Sequence, residues 1–183
     1  MAITAEIRLF VRQRAHFACE YCGVSELQAG GELTIDHYRP LSKGGDDHPD
    51  NLVYCCARCN QHKGEYWPEL PDDLPLWNPR REHPSHHFHA IADGSLASRT
   101  DIGAFALRRL NLNRPQLVAR RRRYIRNAEK KQLLDRRRHL IVARLREMSM
   151  NTELNETQQA MLIEVLDLLR LQISSDSGDD DDF

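Results

Sequence analysis

The amino-acid sequence predicts an α+β protein that is mostly helical, in which a small cysteine-bearing module is followed by a helical extension. Two Cys-x2-Cys pairs lie in the first third of the chain, and apolar residues recur at helical spacing in the second half. The chain has 183 residues and 40% hydrophobic content, enough for one ordinary domain and an appendage. We expect three segments: a module over residues 1–80, a small hairpin with Arg-rich helices over 81–173, and a disordered acidic tail over 174–183.

The module is expected to contain short helices and strands. Apolar periodicity predicts a helix over residues 4–17, with Thr4 as its cap. Residues 33–35 are typical of a short strand, and we place a second strand near Tyr38. A loop over residues 42–49, which contains Gly44 and Gly45, precedes a helix over 60–67 that Pro68 ends.

The extension is predicted to be a hairpin and three helices. Weak alternation over residues 86–100 around Asp93-Gly94 indicates the hairpin, and Asp101 is placed to cap a helix that ends at Leu110. A long basic amphipathic helix is predicted over 114–148. Asn155 and Gln158 resemble a capping box that opens a last helix, which we expect to fold back on the basic one.

The composition argues against membrane and secreted proteins. No apolar stretch reaches the roughly 18 residues that cross a bilayer, and the N-terminus lacks the basic-then-apolar pattern of a signal peptide. We therefore expect a cytoplasmic protein without a membrane partner. Because cytosolic thiols are kept reduced, its five cysteines are expected to bind metal rather than form disulfides.

The two cysteine pairs predict a structural zinc site. Cys19, Cys22, Cys56 and Cys59 offer four thiolates, the set that a closed tetrahedral zinc site uses. The 33 residues between the pairs leave room for a functional segment. Cys55 cannot pair with Cys59 at the same spacing, so we interpret it as a small buried residue.

Positive charge is concentrated in the second half of the chain. Residues 108–146 contain fifteen of the 26 Lys and Arg but only Glu129 and Asp135 as acids. Such an imbalance favours contact with a polyanion over an ordinary solvated face. The predicted nucleic-acid contacts are the arginines at the centre of this run, namely Arg120, Arg121, Arg122, Arg123 and Arg126. The acidic tail is either a solubility tail or a mimic of nucleic acid that folds over the helix.

The segment around the second cysteine pair contains the residues with catalytic chemistry. In order, they are Asp36-His37, Gly44-Gly45, Asn51 and Asn60-Gln61-His62-Lys63. Together with the cysteine pairs, this order resembles the HNH endonuclease family over roughly residues 15–67. The resemblance implies a treble-clef-like ββα-metal module, in which a strand, a loop and a helix surround one divalent ion. It also implies metal-dependent hydrolysis of phosphodiester bonds in DNA.

The family pattern gives each of these residues a role. His37 would be the general base, Asn51 would orient it by hydrogen bonding, and Asp36 and Asn60 would bind Mg²⁺ or Mn²⁺. Asn60 stands where many members have histidine, which makes this chain an H-N-N variant. Because neighbouring residues of a strand point to opposite faces, Asp36 and His37 can serve different purposes.

Three interpretations remain open in the sequence. His62 is the alternative to Asn60 as the metal ligand, since both cannot easily face one ion from the same helix. Lys63 is either a phosphate contact or a surface residue. His83, His86, His87 and His89 form a histidine cluster, whose spacing fits a surface strand or loop better than a second metal site.

Two other functions compete with a free-standing nuclease. One is a zinc-stabilised nucleic-acid-binding module without catalysis. The other is a nuclease subunit of a defence complex, such as phage defence, that a protein partner such as an ATPase controls. RNA is not excluded as a substrate, and double-strand cutting by a single site would call for a homodimer, a second visit or another nuclease domain.

Overall fold

The computed structural model describes residues 3–151, 155 and 157–165. The chain divides into two compact units, of which the first ends at Arg122 and the second begins at Arg123. Within the described part of the chain, no helix combines the length and hydrophobicity needed to cross a membrane. The predicted acidic tail lies outside the described residues.

The first unit begins with helix α1, Ala5–Arg14. The side chain of Thr4 accepts a hydrogen bond of 3.3 Å from the backbone N of Ile7, which confirms the predicted cap. Val11 and Ala15 on this helix are buried in the core. The chain then turns through two left-handed residues, His16 and Phe17, into the first cysteine pair and the short helix α2, Glu26–Ala29.

Two short antiparallel strands form the sheet of the module. Strand β1, Thr34–His37, pairs with β2, Leu52–Cys55, in a register that sets Asp36 opposite Val53 and His37 opposite Leu52. The predicted second strand near Tyr38 is wrong, because the chain leaves the sheet there and returns only after the loop. Strand β2 is buried along its whole length, so it lacks the alternation by which a half-exposed strand is recognised.

Helix α3, Ala57–Lys63, starts and ends earlier than the predicted helix over 60–67. Its N-cap is Cys56, whose Sγ lies 3.4 Å from the backbone N of Cys59. The helix stops at Gly64, which has φ +57°, so the chain is already irregular before Pro68.

The rest of the first unit covers the module with small elements. Helix α4, Pro84–His87, leads into the predicted hairpin, which consists of β3, Phe88–Ala90, and β4, Leu96–Ser98. Helix α5, Asp101–Arg109, follows, and its cap is Thr100 rather than the predicted Asp101. Trp77, in the segment 68–79 that contains four prolines, is 2% exposed and packs edge-on against Phe88 and Tyr21.

Helix α6, Pro115–Asn151, confirms the long basic helix. Leu117 is buried, whereas Leu134 and Ile141 further along are 44% and 52% exposed. In the second unit, Asn155 and Gln158 exchange hydrogen bonds of 2.9 and 3.2 Å, which confirms the capping box before a helix over 157–165. The predicted continuation of that helix to residue 173 lies outside the described residues.

Candidate active site and metal centre

Four cysteines form a cluster between α1 and α3. The Sγ atoms of Cys19, Cys22, Cys56 and Cys59 lie within 4.8 Å of one another. Those of Cys22 and Cys56 are 3.7 Å apart, close to the edge of about 3.8 Å that a tetrahedron with Zn–S bonds of about 2.3 Å would have. The donor set and its spacing therefore fit a structural zinc, as predicted.

A buried arginine contacts this cluster. The guanidinium of Arg114 lies 3.6–3.7 Å from the sulfurs of Cys22, Cys56 and Cys59 and is 8% exposed. Burial acts to lower the pKa of Arg114, but the neighbouring thiolates outweigh it and the pKa is raised. Arg114 thus offsets part of the negative charge of the thiolates. No sequence pattern predicts this contact, since Arg114 lies 55 positions from the nearest cysteine that it contacts.

Cys55 is a small buried residue, as predicted, whereas the histidine cluster is not a surface strand or loop throughout, because His86 and His87 belong to α4 and His87 is buried. Cys55 is buried in β2 and its Sγ contacts Thr34, not the four-sulfur cluster. His87 is buried between Glu82 and Thr100, while His83 and His86 are exposed. Among the described residues, only the four cysteines form a group of His, Cys, Asp or Glu that could hold a metal ion.

Three of the four predicted catalytic residues line one cavity, which we call the catalytic cavity; Asn51 does not. Asp36 and His37 from the end of β1 meet Asn60 from α3 around a space of about 350 Å³. His62 is not among the residues that line it, which supports Asn60 over His62 as the metal ligand. The cavity also contains Glu65, which the sequence did not single out and which accepts a hydrogen bond from Ser42.

Lys63 is buried rather than at the surface, and its contact with phosphate stays a prediction. Its side chain is 1% exposed, and its Nζ lies 2.9 Å from Asp36 Oδ2. The ammonium also donates to the backbone O of His37 at 2.7 Å and of Gly64 at 3.3 Å. The reason is the packing of α3 on β1, which turns Lys63 inward, where a buried ammonium needs anionic and carbonyl partners.

The carboxyl group of Asp36 is affected by two opposing influences. Burial raises its pKa above the usual value, and Lys63 acts to lower it. The raised pKa shows that burial dominates.

The ring of His37 lies against a carboxylate of the following loop. His37 Nε2 is 2.8 Å from Asp47 Oδ1, and the two side chains are 18% and 28% exposed. The described residues give His37 Nδ1 no hydrogen-bond partner. With Asp47 ionised, Nε2 carries the proton of the neutral ring, which leaves Nδ1 as the nitrogen that accepts one.

The comparison with known families agrees with this arrangement. Residues 19–65 match the family model described as HNH endonuclease. This segment is an HNH endonuclease domain. It contains all four zinc cysteines and every residue of the cavity. No curated protein matches the chain.

In the HNH domain, Asn51 fixes the loop rather than the ring of His37. Its side chain accepts from the backbone N of Arg39 at 2.8 Å, and donates to the backbone O of Arg39 and of Asp46 at 3.1 and 2.9 Å. These bonds clamp the loop that contains Asp47, so Asn51 acts on His37 through the loop. The direct hydrogen bond that we expected between Asn51 and His37 is absent among the described contacts.

Gly45 allows this loop to close. A Cβ at Gly45 would lie 1.9 Å from the backbone O of Arg39 and 2.9 Å from Asn51 Nδ2. No side chain fits there. The Gly-Gly pair in the sequence therefore reflects close approach of the loop to itself.

The arginines of α6 fall into two groups. Arg120 bonds to the backbone of Cys22 and Gly23, and Arg121 donates 2.7 Å hydrogen bonds to Gly94 and Leu112. Arg122 similarly donates to Asp93. Arg123 and Arg126 are exposed. Contact of all five with nucleic acid stays a prediction, but the first three already hold the start of α6 on the first unit.

Proposed function

We propose that the protein is an endonuclease that hydrolyses phosphodiester bonds in DNA and depends on a divalent metal ion, with His37 as its general base. The observation that carries this proposal is the single cavity that Asp36, His37 and Asn60 share within an HNH domain. A general base and two oxygen donors beside one another are what hydrolysis of a phosphodiester requires.

His37 supplies the proton transfer. A water molecule in the cavity gives its proton to the neutral imidazole as it attacks phosphorus in line with the departing oxygen. Asp47, 2.8 Å from Nε2, holds the ring in one orientation and stabilises the imidazolium that forms. Asn51 and Gly45 maintain this geometry, because they fix the loop on which Asp47 lies.

Asp36 and Asn60 are the residues that would hold the divalent ion. Carboxylate and amide oxygens suit Mg²⁺ or Mn²⁺, and no soft donor lines the cavity. When bound, such an ion supplies Lewis-acid stabilisation of charge on the phosphoryl and departing oxygens. Lys63 keeps one oxygen of Asp36 in place from the protein interior.

A cleavage assay with a matched histidine control tests the proposal. Purified protein with its zinc is incubated with DNA and, separately, with RNA in the presence of Mg²⁺, Mn²⁺ or EDTA. We expect cleavage with either metal and none with EDTA. His37→Ala should lose the activity, by at least about 100-fold for a general base. His89→Ala, which removes an exposed histidine elsewhere, should cut as the parent does.

The outcome also separates this function from a binding module. A His37→Ala protein that keeps zinc and cuts like the parent would refute His37 as the base. DNA binding without metal-dependent cleavage of either DNA or RNA would refute the enzyme and favour the zinc-stabilised binding module.

A further inference from the structure

A second cavity, of about 380 Å³, is lined by residues of the loop between β1 and β2 and by residues that follow α3. We call it the loop cavity. It is large enough for a nucleobase with its sugar, since sites for small molecules begin at about 300 Å³. Its main residues are Arg39, Asp46 and Asp50 from the loop, together with Trp67, Asn78 and Arg81 from the segment after α3.

The guanidinium of Arg39 is held in place in the loop cavity, and its terminal nitrogens are available to donate hydrogen bonds. Its guanidinium lies 5.0 Å from the ring centroid of Trp67, and its Nε donates to the backbone O of Lys43 at 2.7 Å. The described residues give neither terminal nitrogen of Arg39 a partner. Unpaired bases of nucleic acids stack on the planes of arginine guanidinium groups, so Arg39 offers such a surface.

Asn78 offers a second unused donor. The residue is 8% exposed, and its Oδ1 accepts a 2.9 Å hydrogen bond from the backbone N of Arg80. Within the described part of the chain, its Nδ2 has no partner. Asn78 lines the loop cavity, so this donor can bond to an acceptor on a ligand there.

The charges of the loop cavity favour a base over a free phosphate. Arg39 and Arg81 are balanced by Asp46 and Asp50, so the formal charges of these four residues cancel. A cluster of phosphates would need an excess of cations. The edge of a nucleobase carries both donors and acceptors, and Arg, Asn and Asp side chains are its usual partners.

The loop cavity and the catalytic cavity share one loop. Arg39 follows His37 by two residues, and Asp46 precedes Asp47, which holds the His37 ring. We propose that the loop cavity binds one unpaired nucleobase of the substrate strand next to the cleaved phosphate. A paired base cannot enter it without leaving the duplex, so the enzyme should prefer single-stranded or locally unpaired DNA. This inference rests on the proposed function, since it takes DNA as the substrate.

Binding to a protein that cannot cut tests the inference. In the His37→Ala background, affinities are measured by fluorescence anisotropy for a short labelled single strand of mixed sequence and for the same strand in a duplex. We expect tighter binding of the single strand. Arg81→Ala and, separately, Asn78→Asp should each weaken single-strand binding roughly tenfold more than duplex binding, the discrimination expected of one base contact.

The matched control is Arg8→Ala, which removes one exposed arginine outside the cavity. It should leave the ratio of the two affinities unchanged, because loss of charge alone weakens both. Zinc content and circular dichroism check that each variant is folded, and Asn78→Asp retains the oxygen that accepts from Arg80. If both cavity variants keep the parental ratio, the inference is overturned.

Failure of this inference can be told from failure of the proposed function. If the parent protein cuts DNA but the cavity variants bind both substrates in the parental ratio, the nucleobase site in the loop cavity is wrong and the proposed nuclease activity stands. If the parent cuts nothing with any metal while the variants change the ratio of the two affinities, the proposed nuclease activity is wrong and the nucleobase site stands.

Discussion

The ammonium group of Lys63 connects two residues of the catalytic cavity from inside the protein. It forms an ion pair with Asp36 and a hydrogen bond with the backbone of His37. Its three partners account for its burial, since an unpaired charge at that depth would be very unfavourable. Lys63 therefore acts as a positioning residue, because its ammonium group is held by Asp36 and by two backbone carbonyls.

Removing the charge of Lys63 should destabilise the protein. Lys63→Met leaves the Asp36 carboxylate without its ion pair, and we expect a loss of about 3 kcal/mol in the free energy of unfolding. Adding Asp36→Asn to the Met variant removes the stranded charge and should recover most of that loss. Denaturant unfolding at constant zinc, applied to the parent, both single variants and the double variant, gives the coupling free energy between Lys63 and Asp36. Additive losses in the double variant would show that the pair is not coupled.

Only part of the cavity could be predicted residue by residue. Asp36, His37 and Asn60 were found because their order along the chain is distinctive. The contact of Lys63 with Asp36 spans 27 positions and depends on how α3 packs on β1, and Asp47 lies in an irregular loop. No periodicity predicts such contacts. For the same reason, the sequence suggested the wrong environment for Lys63.

At the scale of elements, the loop between β1 and β2 determines the geometry of both cavities. The strands themselves were harder to predict than the helices. Strand β2 is a short run of buried residues, and its identity comes from pairing with β1. The cap of α1 and the long α6 were predicted well, because local side-chain chemistry and periodicity over many residues specify them.

Gly45→Ala should disrupt this loop. The added methyl group meets the backbone O of Arg39 at 1.9 Å, so the loop must shift and the Asn51 bonds weaken. We expect a fall of about 1–3 kcal/mol in stability, as for other overpacked sites, and a loss of cleavage activity. Gly30→Ala is the matched control: it strains a left-handed glycine but meets nothing within 4 Å. Equal activity of the two variants would contradict the role of the loop.

Arg114 joins the helical extension to the zinc cluster, and its loss should expose the metal. Arg114→Lys keeps the charge but not the planar guanidinium that reaches several sulfurs at once. We expect zinc to pass to a chromogenic chelator at least about tenfold faster, in the range seen when partners of metal ligands are removed. Arg108→Lys, an exposed substitution on α5, is the control. Unchanged release in Arg114→Lys would show that the contact does not protect zinc.

At the scale of the whole molecule, the formal net charge of −1 hides a strong separation of charge. The separation of charge is visible in the sequence, but the contacts that the individual arginines make are not. Three of the arginines donate hydrogen bonds to carbonyl groups of the first unit, namely Arg120, Arg121 and Arg122. A count of cations therefore overstates the number of arginines available to nucleic acid.

The two groups of arginines on α6 should therefore respond differently to substitution. Arg123→Gln with Arg126→Gln removes two exposed cations. If both contact phosphates, the slope of log affinity against log salt should become shallower by about 1.8, with unfolding unchanged. Arg120→Gln with Arg121→Gln removes the same charge but also bonds to Gly23, Gly94 and Leu112, so it should lower the unfolding midpoint. DNA titrations at several salt concentrations, paired with thermal unfolding, separate these effects. A parental salt slope in the Arg123 and Arg126 variant would mean that α6 does not bind DNA through them.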